Sequence, residues 1–142
     1  MARTLHGDPQ TIGRWPMDRA EFASSATMTH LRLGDLCWRV EGDLQVGLVC
    51  STEHLTVAWS RLLAGHRSVE RRHDGDALVH LTRGELHIHT PDGRGPNWWR
   101  LIPGDSLAIP RGFGYQMVNQ SGDALEAVIA SAPGYLSGGV VD

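Results

Sequence analysis

Glycine and proline interrupt this chain so often that a long helix has no room to form. The sequence holds 17 Gly and 7 Pro. After position 30 they recur every few residues, at Gly42-Asp43, Ala64-Gly65, Asp74-Gly75-Asp76, Arg83-Gly84, Asp92-Gly93, Pro103-Gly104, Pro110-Arg111-Gly112 and Ser121-Gly122-Asp123. These are turn-forming groups. Between them lie short segments rich in apolar and β-branched residues, and no segment sustains a 3.6-residue period. Strands are predicted over 36–40, 45–50, 55–63, 77–82, 86–90, 98–102, 106–109, 115–119 and 125–131. Strands at this spacing point to an all-β antiparallel sandwich or barrel.

At 142 residues the chain is the size of one domain. The barrel is expected over 31–136. Residues 1–30 read as an irregular segment packed on it, with one helical turn at 16–23, and 137–142 as a flexible tail. The start lacks an apolar leader, no apolar run approaches the ~20 residues that span a bilayer, and two cysteines, Cys37 and Cys50, make no disulfide framework. A reduced, cytoplasmic, non-membrane protein is the expectation. The net charge of −3 and the absence of a basic stripe argue against a nucleic-acid partner. All 13 basic residues are Arg. A lysine Schiff base, a Walker lysine and pyridoxal phosphate attachment are therefore impossible for this chain.

One stretch carries more than fold class. Gly104, Pro110, Gly112, Tyr115 and Asn119 stand in the spacing G-x5-P-x-G-x2-Y-x3-N. This resembles the second signature of the cupin family, with Tyr115 in the slot of a histidine. Upstream, Gly65, Arg71, His73, Ala77 and Gly84 have the spacing of the family's first signature, G-x5-H-x-H-x3-E-x6-G. The resemblance covers 65–119 and extends through flanking strands to about 36–132. It implies a single-domain cupin jelly roll, a double-stranded β-helix barrel with a pocket at one mouth, of a small bacterial type and commonly a homodimer. Asn119 is expected to tie down a turn through its side chain.

The resemblance also implies where a metal would sit. Cupins typically hold a divalent ion with two His and a Glu from the first motif and a His from the second. Those slots here hold Arg71, His73, Ala77 and Tyr115. Only one is a usual ligand, so no metal cofactor is expected. Asp76, His80 or His66 could stand in, but a one-residue shift on a strand turns a side chain to the other face. His87 and His89 alternate with Leu86 and Ile88, which sets both histidines on the outer face or at a dimer contact.

Without a metal, Arg71, His73 and Tyr115 are the candidate catalytic residues. Arg71 and His73 share a face by alternation, and the resemblance brings Tyr115 to them. A cation, an imidazole and a phenol in an apolar cup suit proton transfer next to a carbonyl: isomerisation, cyclisation or dehydration of an oxygenated metabolite. A buried Arg71 needs an anion: Asp76, Glu53 or a ligand. Candidate substrate-binding residues are Trp59, Arg61, His80, Met117 and Phe113. Of the adjacent Trp98 and Trp99, one ring points in and one out. Two other readings stand beside this enzyme of isomerase, cyclase or lyase type. One is a metal-dependent, dioxygenase-like cupin using His73 with substitute ligands. The other is a non-catalytic binding or sensor module.

Overall fold

The computed structural model describes residues 3–5, 30–51, 55–91 and 95–132. Ten strands build it: β1 (Arg3–Leu5), β2 (Cys37–Glu41), β3 (Leu44–Ser51), β4 (Thr56–Leu62), β5 (Asp76–Arg83), β6 (Leu86–His89), β7 (Trp98–Leu101), β8 (Ser106–Ile109), β9 (Gln116–Val118) and β10 (Leu125–Ala132). All nine predicted strands are present, with ends moved by at most a few residues. The tenth, β1, lies in the segment expected to be irregular, and it pairs in parallel with β2. A 3-10 turn over Leu33–Asp35 precedes β2. The rest of the expected N-terminal segment and the expected tail lie outside the described residues, as does Glu53. No helix among the described residues is long and apolar enough to cross a membrane. Cys50 is a half-buried free thiol.

The strands form a seven-stranded sheet, ordered β1-β2-β3-β4-β10-β5-β8, facing a three-stranded one, ordered β7-β6-β9. Alternation decides which residues meet between them. β4 reads buried and half-buried in strict turn, and β10 does the same until its last residue. Leu44, Leu62 and Leu125 face inward in one row across the large sheet, and Leu48, Ala58, Ile129 and Val79 in another. From the small sheet Leu86, Ile88, Leu101 and Met117 close the core, all buried. Burying a Leu or Ile side chain is worth roughly 1.5–3 kcal/mol, so this interleaved layer holds the two sheets together.

Two residues from the motif spacing show why their types are needed. Asn119 is buried; its Nδ2 donates to the carbonyls of Leu62, at 2.9 Å, and Asp123, at 2.8 Å, and its Oδ1 accepts from the Ser121 N–H at 3.0 Å. It thus pins the β9–β10 turn to the end of β4, as the sequence led one to expect. Gly84 has φ of +86°, and a Cβ there would lie 2.9 Å from the Leu125 Cβ. Gly84→Ala is expected to cost about 1–2 kcal/mol for the left-handed backbone alone, and more for that contact. Urea unfolding measures this, and a variant as stable as the parent would show that the β5–β6 turn can shift.

Candidate functional site

Arg71, His73 and Tyr115 do converge. A short antiparallel bridge pairs Arg71 with Tyr115, the Arg71 N–H donating to the Tyr115 carbonyl at 2.7 Å and the Tyr115 N–H returning at 2.9 Å. Gly112 donates to the His73 carbonyl at 3.2 Å. These bonds fix the segment just before β9 against 71–73. Alternation then aims Arg71, His73 and Tyr115 between the sheets. Arg71 and Tyr115 are 0% exposed and His73 4%. Arg71 Nε donates to the Tyr115 hydroxyl oxygen at 3.3 Å, and His73 Nε2 lies 2.9 Å from that same oxygen. The imidazole and phenol rings stack, with centroids 5.6 Å apart.

Glu41, not among the anions expected from the sequence, pairs with Arg71, and Glu53 lies outside the described residues. Arg71 Nη1 bonds Glu41 Oε1 at 2.5 Å, and Asp76 instead accepts the Arg111 N–H at the surface. Glu41 lies at the end of β2, opposite Leu44, and so in an inward-facing row. Arg39, opposite Val46, faces inward too, its Nε 3.7 Å from Glu41 Oε2. A polar chain therefore crosses the barrel: Arg39, Glu41, Arg71, Tyr115, His73. The chain organises its own protonation. Burial works against the charge of Arg71, but Glu41 and then Tyr115 outweigh it, so the guanidinium is held charged. Burial, more than the opposing pull of Arg71, keeps the Tyr115 phenol protonated above its ordinary range. Burial and the Arg71 charge push His73 down to about 4, so it is neutral at pH 7. With Arg71 Nε donating to the phenol oxygen, the phenol hydrogen has His73 Nε2 within reach as an acceptor.

These residues do not fit a cupin-type ion. Ala77 offers no donor. The Arg71 guanidinium puts a permanent cation where a ligand belongs, and it is engaged by Glu41. His73 Nε2 is engaged by Tyr115. The possible substitutes point elsewhere: Asp76 and His66 are exposed, and His80 lies on the outer face with Nδ1 2.7 Å from Ser106 Oγ.

Several residues expected at the pocket lie elsewhere, because the sheet register sets their faces. Trp59 sits in a row with Trp38, Gly47, Val128 and His80. The opposite face carries the core, so this row is the outer one. Arg61 is outside too; it bonds Glu126 at 3.1 Å and lies over the Trp38 ring at 5.6 Å. Trp59, Arg61 and His80 thus form no wall of the interior. Met117 points inward but is fully buried core. His87 and His89 face outward, and His89 stacks on the exposed Trp98.

Phe113 does reach a cavity. One of about 230 Å³ is lined by Phe113, Trp99, Leu107, Ile109, Pro110 and Thr90 among others. Leu107 and Ile109 stand opposite the inward-facing Val79 and Ala77, and Trp99 opposite Ile88. The cavity therefore occupies the seam between β8 and β7, where the edges of the two sheets are not joined. Only Phe113 was a candidate from the sequence. Of Trp98 and Trp99 one ring was expected to point inward, and it is Trp99, whose meeting with β8 depends on strand order.

No protein-family model and no curated protein sequence matches the chain. Solved structures do. An RmlC-like cupin from Shewanella frigidimarina superposes with a TM-score of 0.64 at 15% identity, covering 78% of this chain and 96% of that one. A polyketide cyclase from Streptomyces resistomycificus gives 0.63 at 16%, covering 75% and 80%. A sugar phosphate isomerase from a cupin superfamily, from Silicibacter pomeroyi, gives 0.59 at 22%, covering 72% and 75%. The fold is the cupin double-stranded β-helix.

Proposed function

We propose that this cupin-fold protein is a small-molecule enzyme that moves protons on an oxygenated metabolite without a resident metal. The observation that carries the reading is the Tyr115–His73 hydrogen bond of 2.9 Å, with a charged Arg71 on the far side of the phenol oxygen. The phenol donates a hydrogen bond to the developing enolate oxygen and the neutral His73 imidazole takes the α-proton, while the charged Arg71 offsets the negative charge that builds beside it. The imidazolium then returns that proton to another atom of the enolate. The balance is an isomerisation, and loss of a β-hydroxyl from the same enol is a dehydration. Similarity of fold to a cyclase and an isomerase supports this class of chemistry and selects no substrate.

With a panel of enolisable ketones in D2O, His73→Phe and Tyr115→Phe are each expected to slow α-proton exchange or turnover about 10²-fold, with ligand affinity within about threefold of the parent. Both variants working at the parental rate would end this reading. A holding role is favoured by a different observation, the Glu41–Arg71 pair, which already gives the buried cation its anion. Binding with no exchange by the parent would establish that role. One equivalent of tightly held metal, lost in His73→Ala, would reverse the metal-free assignment.

A further inference from the structure

We infer that the seam cavity between β7 and β8 is the substrate subsite, and that it takes a neutral molecule of one or two fused rings, an aryl ketone in chemical class. The inference rests on the reading of the protein as a small-molecule enzyme and names what that enzyme accepts. Three features of the cavity carry it.

The first is charge. Among the described residues, no Asp, Glu, Arg or His lines the cavity. The Thr90 hydroxyl is already committed, accepting from Trp99 Nε1 at 3.1 Å and donating to the Pro96 carbonyl at 3.1 Å. A phosphate or carboxylate entering here would lose its water and gain no counter-charge from the described lining. The second is shape. Trp99 from one sheet and Phe113 from the segment before β9 supply two half-buried aromatic rings, with Leu107 and Ile109 between the sheets beside them. Aromatic walls favour flat ligands through stacking and edge contacts. The third is size. An apolar cavity of about 150 Å³ accepts benzene, and drug-sized ligands occupy roughly 300–1,000 Å³. The volume here, about 230 Å³, falls between the two.

The cavity is also tied in sequence to the proton-transfer residues. Phe113 follows Gly112, whose N–H holds the His73 carbonyl, and stands two residues before Tyr115. Ile109 pairs with Ala77, the residue in the slot where the family carries an acid. Arg71, His73 and Tyr115 are themselves buried and do not line the cavity, which adjoins their segments through Phe113 and Ile109.

The probe is 1-tetralone, a neutral bicyclic aryl ketone with exchangeable α-protons; 2-naphthoate is its anionic counterpart. In calorimetric titration of the full chain, 1-tetralone is expected to bind at least tenfold more tightly than 2-naphthoate. Leu107→Trp, which fills the seam, and Phe113→Ala, which removes one wall, are each expected to weaken 1-tetralone at least tenfold. Near-UV circular dichroism checks both folds, and Phe113→Ala decides if Leu107→Trp does not fold. Equal binding of the two probes, or Phe113→Ala with parental affinity, would overturn the assignment. So would a Phe113→Ala variant that turns a dimer into a monomer while binding 1-tetralone normally, since the seam would then be a subunit contact. Exchange in D2O separates the two readings. Binding to the seam without α-proton exchange refutes the enzymatic reading and leaves the cavity assigned; exchange of an anionic ketone without binding of 1-tetralone does the reverse.

Discussion

Glu41→Gln is expected to lower the free energy of unfolding by about 3–5 kcal/mol, the usual consequence of removing one partner from a buried ion pair. The acid is 5% exposed and its partner Arg71 0%, so solvent cannot take over the lost charge. The variant also leaves two guanidiniums, Arg39 and Arg71, on either side of a neutral amide, since Glu41 now lies between them at 3.7 Å and 2.5 Å. Urea unfolding at pH 7 measures the loss. Exchanging the carboxylate and both guanidiniums for apolar residues, Glu41→Leu with Arg71→Met and Arg39→Met, is expected to recover most of it, because the charges of the cluster are then removed together. A Glu41→Gln protein within about 1 kcal/mol of the parent would show that the buried charge of Arg71 is satisfied by other means.

The second large effect is on acid stability. In the unfolded chain His73 titrates near 6.5, and in the folded protein it is pushed down to about 4. Between those values the unfolded state holds the extra proton, so stability rises with pH through the window. The contribution is complete above about pH 7 and is lost as pH falls from 6.5 through 4. At about 1.4 kcal/mol for each pH unit that separates the two states, it amounts to roughly 3 kcal/mol. Among the described residues, the groups that face it include Arg71, which opposes a second positive charge, and Tyr115, whose hydroxyl lies on Nε2. His73→Gln, which cannot charge, is expected to show a flatter profile between pH 4 and 7 than the parent in denaturant titrations. Parallel profiles for the two proteins would mean that His73 titrates as an exposed histidine does.

Strand placement was legible because it depends on local signals. Turn groups and alternation located nine strands, and the motif spacing brought Arg71, His73 and Tyr115 to one place. The outer and inner faces of β2 were not legible. Leu36, Trp38 and Val40 alternate as a core-facing set would, which points Arg39 and Glu41 at water. The structure reverses this because Gly47, opposite Trp38, leaves the outer face open. Leu36 and Trp38 fold down over it, approaching a Cβ built at Gly47 to 3.1 Å. With its apolar side occupied there, β2 turns Glu41 inward, 30 residues in sequence from Arg71. Trp59 and Arg61 were misplaced for the same reason: a large sheet with an aromatic outer face resembles a pocket wall when only one strand is read. The cavity residues Trp99, Leu107 and Thr90 escaped because strand order, not periodicity, sets which edges meet.

A divalent ion can be stripped by a chelator, exchanged for a competitor or lost as the medium acidifies. The cation at the heart of this barrel is bonded to its own main chain and does not lose its proton at any pH a cell meets. Chelators, competing metals and scarcity therefore leave that central charge untouched, and its position is inherited with every copy of the polypeptide.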